Sequence, residues 1–173
     1  MIINKTNGLI AAPYTPFLAN GEINTSVLGE YARRLKLNGL KGVFVCGSTG
    51  EGPSLSVSER EIITEEWLFH QSSEFKIFVH VGANSVKDSC RLASHAEKHG
   101  AFAVSATGPS YFKPANVKIL VDFMQLIASS APKTPFYYYH IPGLNQNYLS
   151  IVEFTKLALE HIPTLSGVKY THE

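Results

Sequence analysis

Gly42-Val43-Phe44-Val45-Cys46-Gly47-Ser48-Thr49-Gly50-Glu51-Gly52 is the stretch from which the fold can be read. Gly42–Cys46 is a short apolar run bounded by glycine, as expected of a strand buried on both faces. The Gly-rich turn after it lets backbone approach an anion closely, and Ser48 and Thr49 add hydroxyl donors. It is not a Walker loop, because no Lys follows the last Gly, and its spacing is not G-x-G-x-x-G. A few residues on, Ser56 and Glu59 have capping-box spacing before Ile62, Ile63 and Trp67, so a helix is expected there. Strand, loop and capped helix thus form one βα unit.

The same unit recurs in both directions. Leu9–Ala12, Lys76–Val81, Phe102–Ala106, Pro135–Tyr139 and Leu165–Tyr170 are further short apolar runs. Between them lie helix signals. Asn24 precedes Val27, Leu28, Tyr31, Ala32 and Leu35, with Gly39 as a stop; Ser85 and Asp88 open a segment that Gly100 closes. Val117, Leu120, Phe123, Met124 and Ile127 make an apolar stripe, and Ser150 with Glu153 repeats the capping box. Strand and helix alternate five times before a sixth strand, which predicts an α/β fold with a parallel sheet. A doubly wound open sheet and a (β/α)8 TIM barrel both fit. A barrel typically takes about 250 residues, so in that case the chain is expected to be truncated after its sixth strand. Residues 1–173 are then the first six strands and five helices of a single barrel domain.

The 173 residues are 45% hydrophobic and 17% charged, enough apolar material for a core and too little charge for disorder. The net charge is +1 with no basic cluster, so no nucleic-acid partner is expected. Two cysteines, Cys46 and Cys90, argue against a disulfide framework and for a cytoplasmic setting. Met1-Ile2-Ile3-Asn4-Lys5 does not read as the start of a signal peptide, and no apolar run reaches the ~20 residues of a membrane helix.

In either architecture chemistry belongs at the C-terminal ends of the strands. Lys169 sits inside an apolar strand, where burial favours a neutral, nucleophilic amine; an edge-strand Lys reaching solvent is the alternative. Alternation sends Tyr137 and Tyr139 to one face and Tyr138 to the other, so a phenol at the strand end can relay a proton. Tyr111, in the loop after the fourth strand, can serve a site or an oligomer contact. His95 and His99 have i, i+4 spacing on one helix, but no third ligand is evident, while His70, His161 and His172 stand isolated. No metal is therefore expected. Cys46 reads as a small buried residue and not a nucleophile, since no positive neighbour is apparent.

GSTGE at 47–51, YYYHIP at 137–142 and GVK at 167–169 resemble the superfamily of N-acetylneuraminate lyase and dihydrodipicolinate synthase, the pyruvate-dependent Schiff-base aldolases. The opening Gly8–Phe17 is similar to its first strand, and Ser58-Glu59-Arg60 to the start of its second helix. The lyase branch is the nearer resemblance: Ser precedes Thr in the loop, and no Arg follows Pro142, where the synthases carry one for a second carboxylate.

The resemblance implies a homotetrameric barrel that needs no cofactor. It implies a small-molecule substrate, sialic acid, cleaved to N-acetylmannosamine and pyruvate. Lys169 matches the imine-forming Lys and Tyr139 the proton-shuttling Tyr. Ser48 and Thr49 match the carboxylate-holding loop, with Ser48 joining the relay. Thr171 matches a substrate-contacting Thr, and Tyr111 a Tyr that reaches a neighbouring subunit's site. The last strands, the C-terminal helices and part of the sugar pocket are expected after residue 173. Another pyruvate-dependent aldolase (acting on a 2-keto-3-deoxy sugar acid, or synthase-like) and an inactive truncated chain remain as alternatives. So does a nucleotide-binding open sheet.

Overall fold

The structure, a computed structural model, describes residues 6–172; Met1–Lys5, on which the leader reading rests, lie outside the described residues. Six strands run β1 Ile10–Ala11, β2 Gly42–Val45, β3 Lys76–His80, β4 Ala103–Ala106, β5 Phe136–His140 and β6 Leu165–Tyr170. All neighbours are parallel and the spatial order is the chain order. A doubly wound sheet reverses strand order at a switch point; no reversal occurs here.

The helices are α1 Leu28–Leu37, α2 Val57–Leu68, α3 Val86–Lys98, α4 Val117–Ser129, a single turn α5 Pro142–Asn145, and α6 Ile151–His161. Consecutive long helices touch (α1 with α2, α2 with α3, α3 with α4, α4 with α6), so they all lie on one side of the sheet. The extra turn α5 departs from the expected five helices: Pro142 suits a first helical position, and Gln146 ends the turn in the left-handed region. The first helix also differs, entering through a 3-10 turn at Thr25–Val27.

Capping follows the sequence at α2, α3 and α6, whereas Asn24 makes no side-chain cap bond. Ser56 and Glu59 form a reciprocal capping box, and Ser85 and Ser150 each accept the backbone N–H three residues on. Asn116 caps α4 in the same way, a signal the apolar stripe had overshadowed. Gly39 and Gly100 stop their helices with φ of +79° and +78°, a region glycine enters without strain.

The sheet has two distinct apolar faces. Val43, Val45, Ile77, Val79, Val104, Ala106, Phe136 and Tyr138 face outward into one core with Trp67, Leu92, Met124 and Phe154 of the helices. Phe44, Phe78, Ala103, Tyr139 and Ile141 form a second, inner cluster. The Phe44 and Tyr139 ring centroids are 5.3 Å apart, although β2 and β5 are three strands apart. In a flat sheet that separation is about 14 Å at the usual strand spacing. The sheet is therefore curled into a half-barrel, inner side chains converging, with the topology of a (β/α)8 barrel through its sixth strand. Among the described residues no helix is long and apolar enough to cross a membrane.

Candidate active site

The chemistry converges where β5 meets β6. Phe136 lies opposite Leu165 but Tyr137 lies opposite Gly167, so a bulge at Ser166 inserts one residue into β6. After the bulge Tyr139 is paired with Lys169. Lys169 Nζ stands 3.6 Å from the Tyr139 ring centroid and 5.1 Å from that of Phe44, and donates to Thr171 Oγ1 at 3.4 Å. An ammonium group over a ring face is attracted by the ring quadrupole. Lys169 is partly buried, at the edge strand of the sheet, so the full desolvation its apolar surroundings suggested is not reached among the described residues. Thr171 is fixed by its backbone N–H, which donates to His140 O at 2.9 Å.

The Gly-rich loop is built on buried polar contacts. Cys46 turns the chain with φ +56°, and His80 Nδ1 lies 3.1 Å from Cys46 O. A carbonyl can only accept, so Nδ1 carries the proton and Nε2 a free lone pair. Burial, with Arg60 beside it, holds His80 far below the ordinary imidazole value, at about 3. Arg60, also buried, donates to His80 O at 2.6 Å and to Gly82 O at 3.1 Å. Thr15 Oγ1 donates to Gly50 O at 2.7 Å. Gly52 sits so close to Cys46 that a Cβ there comes 1.8 Å from Cys46 O.

Two cavities flank these groups. One of about 500 Å³ lies inside the curl, lined by Ile10, Phe44, Phe78, Tyr137, Ser166 and Lys169 among others. The second, about 650 Å³, lies among the loops after the strands and is bordered by Ser48, Arg60, His80, Ser110 and Asn145. Phe44 lines the first cavity. It packs under Lys169, and a Cβ on Gly47 of the loop comes 2.9 Å from its ring.

The residues singled out from the sequence are thus distributed unequally. Lys169, Tyr139 and Thr171 come together. Ser48 and Thr49 lie on the adjoining loop, Ser48 exposed at the second cavity. Tyr111 stands apart with 78% of its surface exposed, its ring 4.9 Å from that of Phe112 and its N–H bonded to Asn84 Oδ1 at 3.1 Å.

His80 escaped the sequence reading, and Arg60 entered it only as part of the second-helix motif. His80 occupies an inward position of β3, a signal that strand alternation could have given; nothing local marks Arg60 as buried. Arg60 also corrects the reading of Cys46: a positive neighbour does exist, and burial still outweighs it, pushing the thiol up to about 11. His172, read as isolated, lies 5.9 Å from His140 by ring centroids. The pair His95 and His99, read as lacking a third ligand, is joined by Glu65 of α2, whose carboxylate is 2.9 Å from His95 Nε2.

Comparison with known proteins agrees with this geometry. The profile of the dihydrodipicolinate synthetase family matches residues 5–173. Human N-acetylneuraminate lyase is 44% identical over 169 residues, 96% of this chain and 53% of the relative. The solved Proteus mirabilis N-acetylneuraminate lyase superposes with a TM-score of 0.92 at 42% identity, covering 98% of this chain and 57% of that one. Dihydrodipicolinate synthase from Aquifex aeolicus gives 0.88 at 26% identity, covering 96% of this chain and 56% of that one. The chain spans about half the length of the curated relatives it matches. With a half-barrel of sequential parallel strands and Lys169 paired to Tyr139 at their C-terminal ends, this chain belongs to the dihydrodipicolinate synthetase family.

Proposed function

We propose that this chain carries the imine-forming part of a class I aldolase that cleaves N-acetylneuraminate to N-acetylmannosamine and pyruvate. The observation that carries the reading is the placement of Lys169 Nζ over the Tyr139 ring and beside Thr171 Oγ1, at the mouth of the strands. Identity above 40% to N-acetylneuraminate lyases favours this substrate over others of the family.

In the proposed reaction the neutral Lys169 amine attacks the substrate ketone, and loss of water gives an imine. The protonated imine draws electrons from the adjacent carbon–carbon bond as that bond breaks. Tyr139 takes the proton of the substrate hydroxyl as the aldehyde forms, and Ser48 relays it. The enamine is reprotonated and water releases pyruvate. Ser48 and Thr49 hold the carboxylate through hydroxyl and backbone N–H groups, and Thr171 contacts the substrate. The exposed Tyr111 reaches the site of a neighbouring subunit in a homotetramer. Residues 1–173 serve as the first six strands of one barrel domain, whose further strands complete the sugar pocket.

Borohydride reduction in the presence of pyruvate tests this directly. A reduced pyruvyl adduct on Lys169, located by peptide mass spectrometry and lost in Lys169→Met, is the expected result. An unmodified Lys169, or an adduct on another lysine, overturns the proposal. Release of pyruvate from N-acetylneuraminate, set against release from a 2-keto-3-deoxy sugar acid, then tests the substrate.

A further inference from the structure

We propose that Glu65, His95 and His99 form a Zn²⁺-type divalent metal site that clips α2 to α3 on the outer wall of the half-barrel. The three residues each offer one ligand atom, and these atoms lie within 4.8 Å of one another. Glu65 Oε1 is 2.9 Å from His95 Nε2 and 3.9 Å from His99 Nδ1. A tetrahedral zinc ion with ligand bonds of ~2.0–2.1 Å sets its donors about 3.3 Å apart, so small side-chain rotations close this set around one ion.

Two imidazoles and a carboxylate are the donor set of open zinc sites, which leave one position for water. Partial exposure of His99 and Glu65, at 32% and 49% of their side chains, keeps that position reachable. His95 presents Nε2 to the Glu65 carboxylate, and its Nδ1 is buried without a hydrogen-bond partner among the described residues. The imidazoles are already close, with centroids 4.2 Å apart.

The electrostatics favour a cation. Both histidines close the C-terminal turn of α3, the negative end of its dipole. Arg91, the strong positive charge nearby, is engaged by Glu61 through two hydrogen bonds of 2.7 and 2.8 Å. The i, i+4 spacing puts both rings on one helix face, but only the packing of α2 against α3 brings the carboxylate to them.

Isothermal titration of the metal-stripped full chain with Zn²⁺ tests the site. One equivalent is expected to bind in the micromolar range or tighter and to raise the melting temperature. Glu65→Gln and His99→Asn are each expected to weaken binding at least ~10-fold, with far-UV circular dichroism unchanged; Asn also suits the helix end that His99 occupies. Co²⁺ is expected to give a tetrahedral visible band that both variants lose and Cys90→Ser keeps. No binding below millimolar Zn²⁺, binding that survives both substitutions, or a site lost with Cys90 overturns the proposal.

Discussion

At the residue scale, the buried imidazole of His80 ties the candidate site to solution pH. Its Nδ1–H holds Cys46 O, and so holds the left-handed turn from which the Ser48–Thr49 loop departs. Burial keeps the folded-state value at about 3, below the ordinary 6.5 that the unfolded chain shows. Between those values the unfolded state binds the extra proton and the folded state does not. Stability from this group is therefore complete above pH 6.5 and falls as the pH drops toward 3. By pH 4 the loss reaches about 3 kcal/mol as an upper bound. Urea midpoints at pH 7 and pH 4 check this: the wild-type chain should lose more stability over the interval than His80→Gln. Equal losses would remove His80 as the pH-sensitive group. The same residue shows what sequence reading misses. Strand alternation places His80 on the inner face but does not show that it lies buried against Cys46 O and Arg60, whereas Lys169 stands out against the apolar run that contains it.

Helix starts were legible as elements because their chemistry is local. Ser56 and Glu59 satisfy one another's backbone N–H groups within one turn, and no distant residue is needed. Ser56→Ala is expected to cost about 1 kcal/mol, the usual worth of an N-cap, measured as a shift in denaturant midpoint at constant slope. Strand contacts are different, because they depend on what lies alongside. A Cβ at Gly42 comes 2.1 Å from the Lys76 backbone oxygen of the neighbouring strand. Gly42→Ala should therefore force β2 and β3 apart, at about 1–3 kcal/mol in the range of overpacking; thermal unfolding of the variant measures it. The bulge in β6 was not legible at all. Without Ser166 as the extra residue, Val168 would face Tyr139, and Lys169 would turn to the other side. Gly167 lies so near Tyr137 that a Cβ there comes 2.7 Å from its ring. Gly167→Val should displace the strand that carries Lys169 and reduce pyruvate trapping by about tenfold or more, while far-UV circular dichroism stays close to that of the wild type. An unchanged adduct yield would mean that the bulge does not position the amine.

At the scale of the sheet, β1 and β6 are its edges among the described residues, each pairing there with one neighbour. Leu9 and Tyr14 beside β1 and Tyr170 on β6 are 76%, 69% and 55% exposed. Open apolar edges pair with other chains. The 173-residue chain is thus expected to elute as an assembly above 19.0 kDa in size-exclusion chromatography with light scattering; a monodisperse monomer would contradict this. The sequence by itself determined the α/β class, the number of strands and the starts of α2, α3 and α6. Those depend on apolar runs, glycine stops and caps, which act within a few residues. It also marked Lys169, because a charged residue is unusual in an apolar strand, whereas Tyr139 and the Ser48–Thr49 loop stood out through the resemblance of their motifs. Only the tertiary structure decided between an open doubly wound sheet and a curled one, since both share the same alternation and differ in long-range strand order. Only it set the bulge that pairs Lys169 with Tyr139, buried His80 and Arg60 beneath the loop, and carried Glu65 to His95 and His99. Each of these depends on contacts between segments at least twenty residues apart, which no local pattern encodes.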